Sequence, residues 1–140
     1  MAGYSETPLA KKLGIRDGFR VAMIGAPPGF RGELAGLPDG VKFAASTATS
    51  LDLILFFAKS QRELIQRFPL LASRLAPAGM LWIAWPKKAS GVKTDLSDNS
   101  VREIGLDAGL VDVKVCAVNE IWSGLKFVIR VKDRSYREHR

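Results

Sequence analysis

Gly79-Met80-Leu81-Trp82-Ile83-Ala84-Trp85-Pro86-Lys87-Lys88-Ala89-Ser90-Gly91 is an apolar run that stops at Pro86 and opens into a basic loop of small residues. A run without polar alternation reads as a central strand buried on both faces, the pattern of a parallel sheet covered by helices. In open α/β sheets the ligand crevice lies outside the carboxyl ends of such strands. The run therefore indicates a fold class and a place to look for a site, but no reaction.

The flanking sequence completes an alternation of strands and helices. Thr7-Pro8, residues 9–13 and Gly14 carry a first-turn proline and a terminating glycine, the marks of a short helix, expected to pack as a lid or edge piece. Residues 20–24 form a strand that ends at Gly25-Ala26-Pro27-Pro28-Gly29. Phe30, Leu34 and Leu37 recur at helical spacing, and residues 41–44 begin a second strand. Residues 53–58 are another all-apolar strand. Ser60 then opens a helix with Leu64, Ile65, Phe68, Leu71, Ala72 and Leu75 on one face and an expected kink at Pro69. Ser100 with Glu103 makes a capping-box pattern for a helix carrying Val101, Ile104 and Ala108 and ending near Gly109. Strands at 113–118 and 125–131 close the fold. Between Ala44 and Leu53 too few residues remain for a helical crossover, which leaves either an extended return or an antiparallel pairing of residues 41–44 with the next strand. The expectation is a single Rossmann-like, three-layer α/β domain over residues 1–131. Its mostly parallel sheet has about six strands and an antiparallel C-terminal hairpin, and residues 132–140 form a basic tail.

Composition narrows the chemistry. The chain has 140 residues, 47% of them hydrophobic, and a formal net charge of +7, in the range of a soluble domain. No apolar run approaches the ~20 residues of a membrane helix, and the start shows no secretion signal, so the expected compartment is the cytoplasm. The single histidine, His139, lies in the tail, which removes a Ser-His-Asp or Cys-His arrangement and a histidine-bearing zinc site from the fold. The single cysteine, Cys116, sits in an alternating strand and reads as a packing residue. Much of the positive charge is at the end: residues 126–140 hold six basic and two acidic side chains. Such a tail is read as a solvated end, with at most nonspecific, salt-sensitive affinity for nucleic acid.

Several stretches resemble the class I S-adenosylmethionine-dependent methyltransferases. Residues 13–25 resemble the lead-in to that family's first strand and glycine loop. Leu51-Asp52-Leu53-Ile54-Leu55 is similar to its fourth strand, Leu75-Ala76-Pro77-Ala78-Gly79-Met80-Leu81 to its fifth, and Asp107-Ala108-Gly109-Leu110-Val111 to the approach to its last strands. The chain also resembles a group of short bacterial proteins classed only as a domain of unknown function. The resemblance implies a Rossmann-like fold lacking the family's third strand and helix. Three positions depart from the pattern. The glycine loop carries Pro27 and Pro28, which cannot donate backbone hydrogen bonds. No acid follows the second strand in Phe43-Ala44-Ala45-Ser46-Thr47-Ala48, where the family holds the ribose. Lys59-Ser60-Gln61 stands in place of the motif of amino-group methyltransferases.

If the strands are arranged as expected, three loops converge at their carboxyl ends. Gly25 and Gly29 would offer approachable backbone, and Lys87, Lys88, Ser90 and Gly91 would offer cationic and hydroxyl donors. Glu120 would be an acceptor and Trp122 a stacking surface. The alternative is that the lysines only solvate a strand end and Trp122 plugs a gap. On these residues the leading reading is a non-catalytic module binding a small anionic or nucleotide-like ligand or a protein partner. It carries no catalytic residues, metal or cofactor, and S-adenosylmethionine is expected not to bind. The alternative function is a trimmed S-adenosylmethionine-dependent methyltransferase-like enzyme.

Overall fold

A computed structural model describes residues 7–138, with side chains through residue 134. Six strands form one sheet: β1 (Arg20–Ile24), β2 (Lys42–Phe43), β3 (Leu51–Phe57), β4 (Leu75–Pro86), β5 (Leu110–Ala117) and β6 (Trp122–Ile129). Their spatial order is β2-β1-β3-β4-β6-β5. The first four are parallel to one another, and β6 runs antiparallel to both β4 and β5. The helices are α1 (Leu9–Leu13), α2 (Gln61–Ser73), α3 (Asp98–Asp107) and α4 (Val131–Glu138), with 3-10 turns at Phe30–Glu33 and Lys88–Ser90. This is the expected Rossmann-like α/β sheet with an antiparallel C-terminal hairpin. The basic end of the chain carries α4, where the Arg134 guanidinium donates to the Ile129 carbonyl at 3.0 Å. His139 and Arg140, and the side chain of Arg137, lie outside the described residues.

The pleat of β4 divides the core. Leu81, Ile83 and Trp85 face one layer, packed with Leu64, Phe68 and Leu71 of α2, Val101 of α3, and Phe127. Trp82 and Ala84 face the other, packed with Ala10 and Leu13 of α1 and with Phe30, Phe57 and Trp122. Full burial of a central strand on both faces explains why its sequence does not alternate.

Some local expectations need correcting. α1 is a core element: Ala10 and Leu13 are fully buried, and the Leu13 carbonyl accepts from the Trp82 indole at 2.8 Å. The helix expected from Phe30, Leu34 and Leu37 is a single 3-10 turn. α2 runs through Pro69, which is exposed, and Ile65 points to solvent while Leu75 already belongs to β4. α3 begins one turn earlier than the Ser100–Glu103 pattern implies. Ser97 is its cap, accepting from the Ser100 N–H at 3.2 Å, while the Ser100 hydroxyl accepts from the Ser97 N–H at 2.9 Å. β2 pairs in parallel with β1, so the short link to β3 is the extended return and not an antiparallel pairing.

Candidate functional site

The carboxyl edge of the sheet is assembled by backbone. β1 ends at Gly25, where φ is 70° and an added Cβ would stand 3.1 Å from the Phe57 carbonyl oxygen of β3. Only glycine makes that turn against the neighbouring strand without strain. Gly29, with φ 79°, has open space at its Cβ position. The loop after β1 is tied to the β5–β6 turn by Asn119, whose amide donates to the Glu33 carboxylate at 3.0 Å. The Asn119 side-chain oxygen accepts from the N–H groups of Ile121 and Trp122, both at 2.9 Å. That turn is joined to the basic loop by the Lys87 N–H donating to the Ile121 carbonyl at 2.7 Å. The three loops are therefore neighbours along one edge.

Their side chains do not share one pocket. Lys87, Lys88 and Gly91 line an open cleft of about 1100 Å³ at the ends of β3 and β4. Trp122 is the first residue of β6 and is buried on the opposite face, edge-to-face with Phe57 at 5.0 Å between ring centroids. A packed indole of this kind presents no free stacking surface to the cleft, so here the gap-filling alternative describes the geometry. The Ser90 hydroxyl donates to the Lys87 carbonyl at 2.6 Å and closes the loop instead of facing the cleft. Glu120 is exposed at the turn, and Gly25 and Gly29 lie at the end of β1, outside the cleft lining.

Sequence reasoning missed the other half of the cleft. Lys59 and Ser60 follow β3 directly, and Lys93, Thr94, Asp95 and Leu96 form the facing rim. The rim is strapped to the start of α2. Thr94 Oγ1 donates to the Lys59 carbonyl at 2.6 Å, the Gln61 N–H donates to the Asp95 carboxylate at 2.8 Å, and the Gln61 amide donates to the Asp95 carbonyl at 2.7 Å. Ser60 caps α2, accepting from the Glu63 N–H at 3.1 Å, and Glu63 returns its carboxylate to the Lys59 N–H at 3.0 Å. The available signal was Lys59-Ser60 standing immediately after an apolar strand.

The end of β2 differs in character. The Arg31 guanidinium lies 3.7 Å from the centroid of the Phe43 ring, and residues 44–48 contain no carboxylate. No helix among the described residues is long and apolar enough to cross a membrane.

Neither a family model nor a curated protein matches the sequence. Solved structures do match the fold. An S-adenosylmethionine-dependent methyltransferase from Aquifex aeolicus is 18% identical, with a TM-score of 0.59 over 85% of this chain and 86% of that one. DhpI in complex with SAH is 14% identical, with a TM-score of 0.61 over 86% and 81%. A TehB-like S-adenosylmethionine-dependent methyltransferase from Corynebacterium glutamicum is 10% identical, with a TM-score of 0.57 over 92% and 91%. These likenesses correct the order of the two functional readings. The non-catalytic binding module loses its place as the leading reading, because the matched folds are repeatedly those of S-adenosylmethionine-dependent methyltransferases. The fold of this chain is that of a trimmed class I methyltransferase-like Rossmann domain.

Proposed function

We propose that the chain is a trimmed S-adenosylmethionine-dependent methyltransferase-like enzyme, with its cofactor at the carboxyl ends of β1 and β3 and its methyl acceptor in the adjoining cleft. The observation that carries this reading is a methyltransferase-type sheet whose switch point, where doubly wound folds place their ligands, lies between β1 and β3, with an open cleft at the adjoining carboxyl ends of β3 and β4. Fold alone does not assign chemistry, so the fit of the residues matters. The loop after β1 fits: Gly25 and Gly29 both have positive φ, and the space beside Gly29 is open. The end of β2 fits less well, because Phe43 beneath Arg31 stands where a ribose-binding acid would be needed. Backbone at Gly25 and Gly29 would hold the group, which when bound supplies a methyl on a sulfonium.

Calorimetric titration with S-adenosylmethionine and with S-adenosylhomocysteine tests the reading. The expected result is saturable binding of both in the micromolar range. A ligand at about a hundred times its Kd also raises stability by ~2.7 kcal/mol, visible as a higher Tm. No binding heat and no Tm change at about 1 mM, the affinity of a roughly −4 kcal/mol complex, would overturn it.

A further inference from the structure

We propose that the cleft beside β3 and β4 takes a flat, apolar molecule bearing a carboxylate or another ionised oxygen; this rests on the methyltransferase reading and names the class of its methyl acceptor. Four lysines surround the cleft: Lys59, Lys87, Lys88 and Lys93. None forms an ion pair among the described residues, where the ion pairs are Arg102 with Asp98 at 2.7 Å and with Asp112 at 2.9 Å. Of the two acids on the rim, one is ion-paired outside the cleft and the other is held by backbone. Asp98 belongs to that Arg102 pair, and Asp95 accepts from the Gln61 N–H. Asp95 keeps its negative charge, so four cations face one carboxylate that no cation pairs, and a concavity with such an excess of positive charge attracts anions.

Its floor has a different chemistry. Val92 and Val115 are exposed and line the cleft together with the edges of the buried Trp85, Pro86 and Leu96. Apolar lining with a few charged groups at the mouth suits a planar body with an anionic edge better than a small hydrated ion. The cleft offers no histidine, cysteine or tyrosine as a general base; Asp98 is held by Arg102, and one oxygen of Asp95 by the Gln61 N–H. An ionised oxygen needs none. It has no proton to lose when its lone pair takes up a methyl group and the donor's sulfur keeps the electron pair of the broken bond.

The test uses the full chain with 2-naphthoate and its neutral counterpart 2-naphthamide as probes, titrated calorimetrically at low and high salt. The expected result is binding of the carboxylate at least about tenfold tighter than the amide, weakening as salt rises. In Lys87→Gln/Lys88→Gln and Lys59→Gln/Lys93→Gln that preference should fall by about tenfold. Lys11→Gln/Lys42→Gln removes the same charge away from the cleft and should leave it unchanged. Equal affinity for the two probes, no binding of either, or equal losses in cleft and control variants would each overturn the proposal. Titration with S-adenosylmethionine in the same samples separates the two ideas. Lysine-dependent naphthoate binding without cofactor binding defeats the enzyme reading while the anion site stands, and cofactor binding without naphthoate binding defeats the anion site alone.

Discussion

The two faces of the sheet reach the same burial by different means. One is covered by two regular helices, α2 and α3, whose spaced Leu64, Phe68, Leu71 and Val101 meet Ile83 and Phe127. The other draws its helical cover from the five-residue α1 and a 3-10 turn. Both faces hold four large buried rings, Phe56, Phe68, Trp85 and Phe127 on the first and Trp82, Phe30, Phe57 and Trp122 on the second, but on the second they sit among fewer buried aliphatic side chains. Phe57 is edge-to-face with both Phe30, at 4.8 Å, and Trp122, at 5.0 Å. Where a chain omits helices, packing concentrates in few residues, so single substitutions on that face should weigh most.

Trp82→Ala attacks this concentration directly. Trp82 is fully buried and its indole satisfies the Leu13 carbonyl, so the truncation should cost about 3–5 kcal/mol in urea unfolding. A loss below about 1 kcal/mol, the size of an exposed change, would break the contrast between the faces. Gly105→Ala probes the helical face. Alanine normally favours a helix by about 1 kcal/mol over glycine, yet a Cβ here would stand 2.1 Å from the Phe127 ring. Overpacking should therefore win and destabilise by about 1–3 kcal/mol; a gain in Tm would show that α3 does not sit this close to β6. Ser97→Ala removes the cap of α3 and should cost about 1 kcal/mol, measured the same way.

Two finer tests concern the aromatic face. Burial pushes the Cys116 thiol up, outweighing Lys12, Lys114 and Lys126 nearby, so alkylation by iodoacetamide near pH 8 should be slower than in the unfolded chain. A rate equal to that of the unfolded chain would show this face to be open. Lys126, with its ammonium 5.9 Å from the Trp82 ring centroid, is held below the usual lysine range by burial, then by Lys114 and Arg16. The unfolded chain binds this proton more tightly, so the penalty is full below the folded-state pKa and fades as pH rises between the folded and unfolded values. Lys126→Met should give a small gain in Tm at neutral pH that shrinks in alkali. An unchanged or lower Tm would mean that the aromatic contact outweighs the lost hydration.

The central strands were legible because runs such as residues 53–58 and 80–86 leave no other place for so many apolar side chains. The edges were less so. Trp122 looked like a loop residue because Ser123 and Gly124 hide the start of β6, whose pairing with β4 puts Trp122 opposite Pro86. Asp98, Asn99 and Ser100 can all act as helix caps, so sequence alone could not single out Ser97. Lysines were visible only on one side of the cleft. Lys59 is joined to the same rim by a hydrogen bond that its carbonyl accepts from Thr94, thirty-five positions away, which no local pattern encodes.

The strap between Thr94 and Ser97 has a mechanical consequence. Within four residues, this rim holds the Lys59 carbonyl, clips the first amide of α2 through Asp95, and ends at the residue that caps α3. One short segment thus sets the starting phase of both helices on that face. A molecule lodging under the rim would pull on two levers with a common fulcrum, and the opening amides of α2 and α3 would gain or lose hydrogen-exchange protection as a pair.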